Sequence, residues 1–222
     1  RSTFLDKIQL LHLVPQSKLI NNCDALLHLN SKYALASLPE SIDQPSRIAS
    51  SDPASIKYAI DRSGSWIFKP PAESHGRSVY KIQQDDPNSN AIIEHEMPSA
   101  GHTFRLLESW LPEIEHGEKR VLMADGSIIG CYQRQGKLDH RTNLAAGATP
   151  SITLLSTDER TLCDEVAAYS LKGGARFIGI DLLYPYVVEI NVVNPGGLGT
   201  LLELGEPISG TTVLDALGLI SP

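Results

Sequence analysis

Three oxygen-bearing side chains gather late in the chain, in surroundings that make them conspicuous. Asp181 interrupts the apolar run Phe177-Ile178-Gly179-Ile180-Asp181-Leu182-Leu183, and Glu189 and Asn191 follow within the run Val187-Val188-Glu189-Ile190-Asn191. A carboxylate set into such a run is costly unless positive charge faces it. Residues two apart on a strand share a face, so Glu189 and Asn191 point the same way. A tight turn between the two runs would lay Asp181 beside Glu189. Oxygen donors on one sheet face suit magnesium, which keeps several waters and shares the phosphate oxygens of its substrate. A salt-bridged strand surface with a capping Asn accounts for the same spacing.

A second set consists of cations on strands or strand ends: Lys32, Lys69, Arg120, Arg134 and Arg141. Each alone reads as an ordinary solvated charge. Lys69 stands apart because it closes the hydrophobic triplet Trp66-Ile67-Phe68, and Lys119-Arg120 because it enters a hairpin from the polar turn Glu115 to Glu118. If Lys69 and the acidic face share a cleft, the ensemble is what phosphoryl transfer requires: lysines neutralise the phosphates while a metal bridges the oxygens of the group in transfer. Neither the Walker pattern nor the dinucleotide Gly-x-Gly-x-x-Gly pattern occurs. Arg141-Thr142-Asn143 running into Leu144-Ala145-Ala146-Gly147 suits a loop that a ligand approaches closely, or an ordinary loop before the next helix. Thiol and serine hydrolase chemistry has little support: there is no Gly-x-Ser-x-Gly, and His75 and His140 lie in polar loops.

Composition narrows the classes. The 222 residues are enough to bury a sizeable core, in one large domain or two small ones. With 26 acidic and 19 basic residues the formal charge is −7, which argues against gripping nucleic acid or an anionic membrane as the main task. No apolar stretch approaches the ~18 residues of a membrane span. Cys23, Cys131 and Cys163 are far apart and odd in number, against a disulfide scaffold or zinc knuckle, so reduced thiols and a cytoplasmic location are expected. The chain opens on Arg1 rather than Met and shows no apolar signal segment, so further residues are expected to precede it.

The elements that must carry these side chains are legible in outline. Leu10 to Val14 predict a helix stopped near Pro15, and a second short helix runs from Asn30 or Ser31 to Leu38. Residues 40–51, rich in Ser and Pro, read as a connector. Asp52-Pro53 starts a helix carrying Ile56, Ala59 and Ile60 and ending at Ser63-Gly64. Trp66 to Phe68 form a strand, resumed by Val79, Tyr80 and Ile82. A polar loop at residues 85–90 leads to a short helix near 91–97 and a strand near 104–107. Arg120 to Arg134 form a hairpin about Asp125-Gly126. Ser156 and Glu159 form a capping box for a helix burying Leu162, Val166 and Tyr169 and ending at Gly173-Gly174. Phe177–Leu183 and Val187–Asn191 pair as a hairpin, then come a glycine-rich turn at 194–199 and a helix near 211–217. The fold class is mixed α+β.

Several of these segments together resemble the bacterial glutathione synthetase branch of the ATP-grasp superfamily. They are Trp110-Leu111-Pro112-Glu113-Ile114, Gly117-Glu118-Lys119-Arg120-Val121-Leu122, Asp125-Gly126, Arg141 to Gly147, Phe177-Ile178-Gly179-Ile180-Asp181 and Glu189-Ile190-Asn191-Val192. The similarity runs from about Asn22 to the C-terminus. It implies an ATP-grasp fold in which two α+β subdomains clasp a nucleotide and the N-terminal substrate domain is largely missing. Residues 1–29 would be a remnant or linker of that domain, 30–110 the small lobe, and 111–222 the catalytic and metal-binding lobe.

The implied cofactors are ATP and magnesium, with manganese as the alternative. By the resemblance, Lys32 and Lys69 contact ATP phosphates; Glu108, Trp110 and Leu111 face adenine at the hinge; Glu118 meets the ribose. Asp181, Glu189 and Asn191 hold the metal, Asn143 approaches the phosphates, and Arg120 and Arg141 face the acyl phosphate or acceptor, with Arg134 a weaker match. The implied reaction joins a carboxylate to an amine through an acyl phosphate, with small peptide or amino-acid-like substrates and a homo-oligomer as the expected assembly. Two departures bear on substrate. The family's glycine-rich loop is here Pro71 to Ser78 with the single Gly76, and its Ser-Pro-Thr acceptor segment is here Asn194-Pro195-Gly196-Gly197. Glutathione synthesis, another peptide or amide ligation, a non-catalytic or regulatory ATP-binding module and a plain interaction domain all stay open at this point.

Overall fold

The computed structural model describes residues 2–62, 64–71, 78–98, 103–136 and 147–220. The chain starts with α1 (Ser2–Leu11), α2 (Cys23–His28) and a 3-10 helix (Lys32–Ser37). α1 stops ahead of Pro15, leaving Leu10, Leu13 and Val14 exposed rather than in a helical stripe. The helix expected from Ser31 is the 3-10 segment, with the Ser31 hydroxyl accepting from the Tyr33 N–H. α2 went unanticipated, although its signal is ordinary: Asn22 caps it by accepting from the Ala25 N–H, and Asp24 sits in the first turn.

Next come β1 (Arg47–Ser50), α3 (Pro53–Arg62), β2 (Ser65–Lys69), β3 (Tyr80–Gln83), α4 (Ser89–Glu96) and β4 (Arg105–Ser109). The four strands form an antiparallel sheet in the order β1-β4-β2-β3. Asp52 starts α3 as anticipated, its carboxylate accepting from the Ala54 and Ser55 N–H groups. One sheet face contributes Phe68, Ile82 and Leu107 to a core closed by Ile56 and Ile60 of α3 and Ile93 of α4. By alternation the opposite face carries Arg47, Ile67, Lys81 and Glu108, which lie in one row across the four strands. β1 corrects the connector expected over 40–51: four residues suffice for an outer strand when β4 supplies the hydrogen bonds.

A second antiparallel sheet follows, ordered β7-β6-β5-β8-β9. It comprises β5 (Glu118–Ala124), β6 (Ser127–Gln135), β7 (Thr149–Ile152), β8 (Phe177–Leu183) and β9 (Tyr186–Asn191), with α5 (Thr157–Lys172) between β7 and β8. The chain ends with α6 (Leu198–Glu203) and α7 (Gly210–Ala216). The β5–β6 turn is the expected Asp125-Gly126 pair, with φ of 48° and 84°, the left-handed values a tight hairpin needs. α5 has both halves of its capping box. Its buried stripe runs through Cys163, Val166, Ala167 and Ser170, with Leu162 and Tyr169 at the margin.

That stripe packs on Val121, Met123, Ile178, Ile180 and Ile190 of the sheet. The same core takes in Ala25, Leu29, Leu35, Leu38 and Ile42, residues on both sides of the boundary expected at residue 30. On the opposite face Leu201 of α6 and Ile208 lie against Leu122 and Tyr132, and Val213 and Leu217 lie against Ala124. What remains of that face is where the charged residues stand. Among the described residues no helix is long and apolar enough to cross a membrane.

Candidate functional site

Register builds the site. Arg120 pairs with Asp181, and Asp181 with Glu189, so three charged side chains form a row across β5, β8 and β9. Gly179 pairs with Asn191 and Glu118 with Arg134 on the same face. The expectation that Asp181, Glu189 and Asn191 share a face therefore holds. Arg120 grips both oxygens of Asp181, Nε to Oδ1 at 2.5 Å and Nη2 to Oδ2 at 3.0 Å. Arg134 reaches the same carboxylate at 2.8 Å and Glu118 at 2.5 Å. The third Arg120 nitrogen donates to the Pro195 carbonyl, tying the 194–197 turn over the sheet.

Burial sets the electrostatics. It opposes the charge on Asp181, but Arg120 and Arg134 outweigh it and hold the carboxyl below its ordinary value of 3.8. Burial also opposes the charge on Arg134, and Asp181 and Glu118 raise its pKa regardless.

The first sheet has its own charged group. Lys69, at the end of β2, donates from its ammonium to Glu108 Oε1 at 2.7 Å. Arg47, across β1, donates to Oε2 of the same carboxylate at 2.7 Å. Burial would push the Glu108 carboxyl up; Lys69 and Arg47 together bring it below its ordinary value of 4.5. Beside them the Lys81 ammonium lies 3.8 Å from the centre of the Trp110 ring, a cation–π contact at the end of β4. The Trp110 backbone N–H donates to the Ser65 carbonyl, and Leu111 leads into the 3-10 helix Pro112–His116.

Lys32 connects β9 to the segment that follows β2. Its ammonium donates to Glu189 Oε1 at 3.0 Å, and its backbone N–H donates to the carbonyl of Pro71, two residues beyond Lys69, at 3.3 Å. Asn30, Ser31, Lys32, Glu189 and Asn191 line a small recess between the 3-10 helix and β9.

With this geometry in place, comparison with known proteins is decisive. The family pattern described as "Prokaryotic glutathione synthetase, ATP-grasp domain" matches residues 31–206. The chain belongs to this family. Curated relatives agree: it is 30% identical over 198 residues to a glutathione synthetase of a Nostoc species, covering 88% of this chain and 60% of that one. It is 31% identical over 212 residues to a glutathione synthetase of Xylella fastidiosa, covering 93% and 67%. The chain thus spans 60% and 56% of the length of two curated relatives, from Nostoc and from Xanthomonas campestris.

Solved structures show the same ATP-grasp fold. A D-cycloserine synthetase superimposes with a TM-score of 0.76 at 16% identity, covering 98% of this chain and 77% of that one. The ATP-grasp ligase PsnB, in a complex with Mg and ADP, gives 0.66 at 18% identity, covering 89% and 61%.

In this ATP-grasp domain the anticipated residues fall into two charged groups, and Lys32 ties the second to the segment just after Lys69. Lys69 and Glu108 stand on the first sheet; Glu118, Arg120, Asp181, Glu189 and Asn191 stand on the second. Arg141 and Asn143 lie outside the described residues, as does the loop from Ala72 to Arg77. Among the described residues no cluster of three or more His, Cys, Asp or Glu side chains gathers as a metal site. The donor set expected for magnesium has only two carboxylates and an amide, and Asp181 is already engaged by two guanidiniums.

Sequence reasoning overlooked Arg47, because β1 hides in a Ser/Pro-rich stretch, and Lys81, which carries no motif. Arg134 was legible as one of several scattered cations and as a weaker match to the acyl-phosphate side. Its tie to Asp181 depends on pairing across strands.

Proposed function

We propose that the chain carries the nucleotide-binding and catalytic part of an ATP-dependent carboxylate–amine ligase. Lys32 supports this more than any other residue: it links the segment just after Lys69 to the acidic face at Glu189. A triphosphate lying along that link would meet Lys69 and Lys32 on one side and Asp181, Glu189 and Asn191 on the other. The hard oxygen donors of Asp181, Glu189 and Asn191 suit magnesium, with manganese as the alternative, once the Arg120 and Arg134 grip on Asp181 loosens. When bound, such an ion would neutralise charge on the phosphates. PsnB in complex with Mg and ADP is consistent with that use.

The reaction we infer is that of the ATP-grasp carboxylate–amine ligases. A substrate carboxylate oxygen attacks the γ-phosphorus, the bond to ADP breaks, and an acyl phosphate forms. An amine nitrogen then attacks the acyl carbon, the bond to phosphate breaks, and the amine proton leaves to solvent. Positive groups that hold the phosphoryl oxygens do most of the work, since no covalent enzyme nucleophile is required. Arg120, with Arg141 and Asn143, stands for the acyl-phosphate side; Trp110 and Leu111 with Glu108 border the base, and Glu118 the ribose.

The substrates are peptide-like or amino-acid-like. Glutathione synthesis is one such reaction, but the Asn194 to Gly197 turn occupies the acceptor side and leaves the amine unspecified. The test is release of ADP and phosphate by the longest available form of the protein. Release that requires both a carboxylate and an amine is expected; ATP binding without turnover across a panel of small peptides and amino acids would overturn the proposal.

A further inference from the structure

Arg47 and Glu108 face each other across β1 and β4, and Lys69 completes a trio on one carboxylate. All three side chains are largely shielded from solvent, at 8%, 6% and 10% exposure for Arg47, Glu108 and Lys69. Two cations on one anion leave a surplus of one positive charge. Without Arg47, Glu108 would bear on Lys69 alone and the pair would be neutral. At short range in a poorly solvated site, that difference decides how strongly a phosphate is attracted. Arg47 also donates from Nη1 to Gln44 Oε1 at 2.5 Å, while its Nη2 is buried without a hydrogen-bond partner among the described residues. A residue serving only to clip β1 to β4 would not need a charge opposite a carboxylate already paired.

We propose that Arg47 is a positioning residue for nucleotide binding: it neutralises Glu108 so that the charge of Lys69 stays available to the triphosphate. The inference rests on the nucleotide site proposed above. It is separable from that reading, because it predicts that Arg47 matters only while the Glu108 carboxylate is present.

The experiment is a calorimetric titration of ATP with magnesium into wild type, Arg47→Met, Arg47→Lys, Glu108→Gln and the double variant Arg47→Met/Glu108→Gln, with a thermal melt of each. Arg47→Met should weaken ATP binding about tenfold. Arg47→Lys, which keeps a cation, should stay within about threefold of wild type, and the double variant should bind ATP within about threefold of Glu108→Gln alone, since Arg47 has nothing left to neutralise there. Thermal melts identify any variant that fails to fold, and Arg47→Lys with the double variant then carry the comparison. Unchanged binding in Arg47→Met, or a loss on removing Arg47 that is as large in the Glu108→Gln background as in wild type, would overturn the role of Arg47 alone. Wild type that binds no ATP would overturn the nucleotide site and the role of Arg47 together.

Discussion

Asp181 holds two guanidiniums in a buried row, and that arrangement sets what its removal does. Asp181→Asn leaves Arg120 without its ion-pair partner and Arg134 with Glu118 alone. A cost of about 3–5 kcal/mol is typical when one member of a buried pair is lost, and urea unfolding of the variant is the check. The pH dependence has a definite sign. Asp181 and Glu108 both have folded pKa values below their ordinary 3.8 and 4.5. Their contribution to stability is therefore complete above those ordinary values and is lost as pH falls through the lower folded ones. Melts in acid should show a steep decline below about pH 4.5, and Glu108→Gln should flatten part of it. The Cys163 thiol, pushed up to about 12 by burial, should resist alkylation in the folded protein at neutral pH, as mass spectrometry would show. At this scale the acidic face was legible, because Asp181, Glu189 and Asn191 stand out against apolar neighbours. The guanidiniums facing Asp181 were not, since their pairing joins residues far apart in sequence.

The elements that carried strong local signals formed where expected. The Asp125-Gly126 hairpin and the capped α5 needed only neighbours in sequence. Ser156→Ala should therefore cost about 1 kcal/mol, read from thermal or urea unfolding, because it removes one half of the capping box. β1, β7 and α6 lack such signals. β1 and β7 are four residues each and depend on a partner strand, and α6 follows a turn that reads as loop. Gly179 belongs to this scale because it lets the 194–197 turn lie on β8. A Cβ there would come within 2.6 Å of the Pro195 carbonyl oxygen and 3.0 Å of an Arg120 nitrogen. Gly179→Ala should destabilise the fold by about 1–3 kcal/mol and disturb the Arg120 grip, as a thermal melt and a heteronuclear NMR spectrum would show.

Across the whole molecule each sheet turns one face to helices and carries charged residues on the other, which in the larger sheet α6 and α7 cover in part. Lys32 ties the acidic end of that row to the segment after β2. The order of segments along the chain, Trp110 to Gly147 and then Phe177 to Val192, made the ATP-grasp organisation legible before any coordinates. The packing of residues 25–42 into the larger sheet's core was not, because it depends on contacts with strands more than a hundred residues away. Lys32→Ala should weaken ATP binding while leaving the melting temperature within a few degrees, since its partner Glu189 stays partly solvated. The most direct measurement is a crystal structure with a non-hydrolysable ATP analogue and magnesium. The triphosphate should lie between the Lys69 and Lys32 ammonium groups, with the ion on Asp181, Glu189 and Asn191. A nucleotide bound elsewhere, or one that touches neither lysine, would contradict the proposed site.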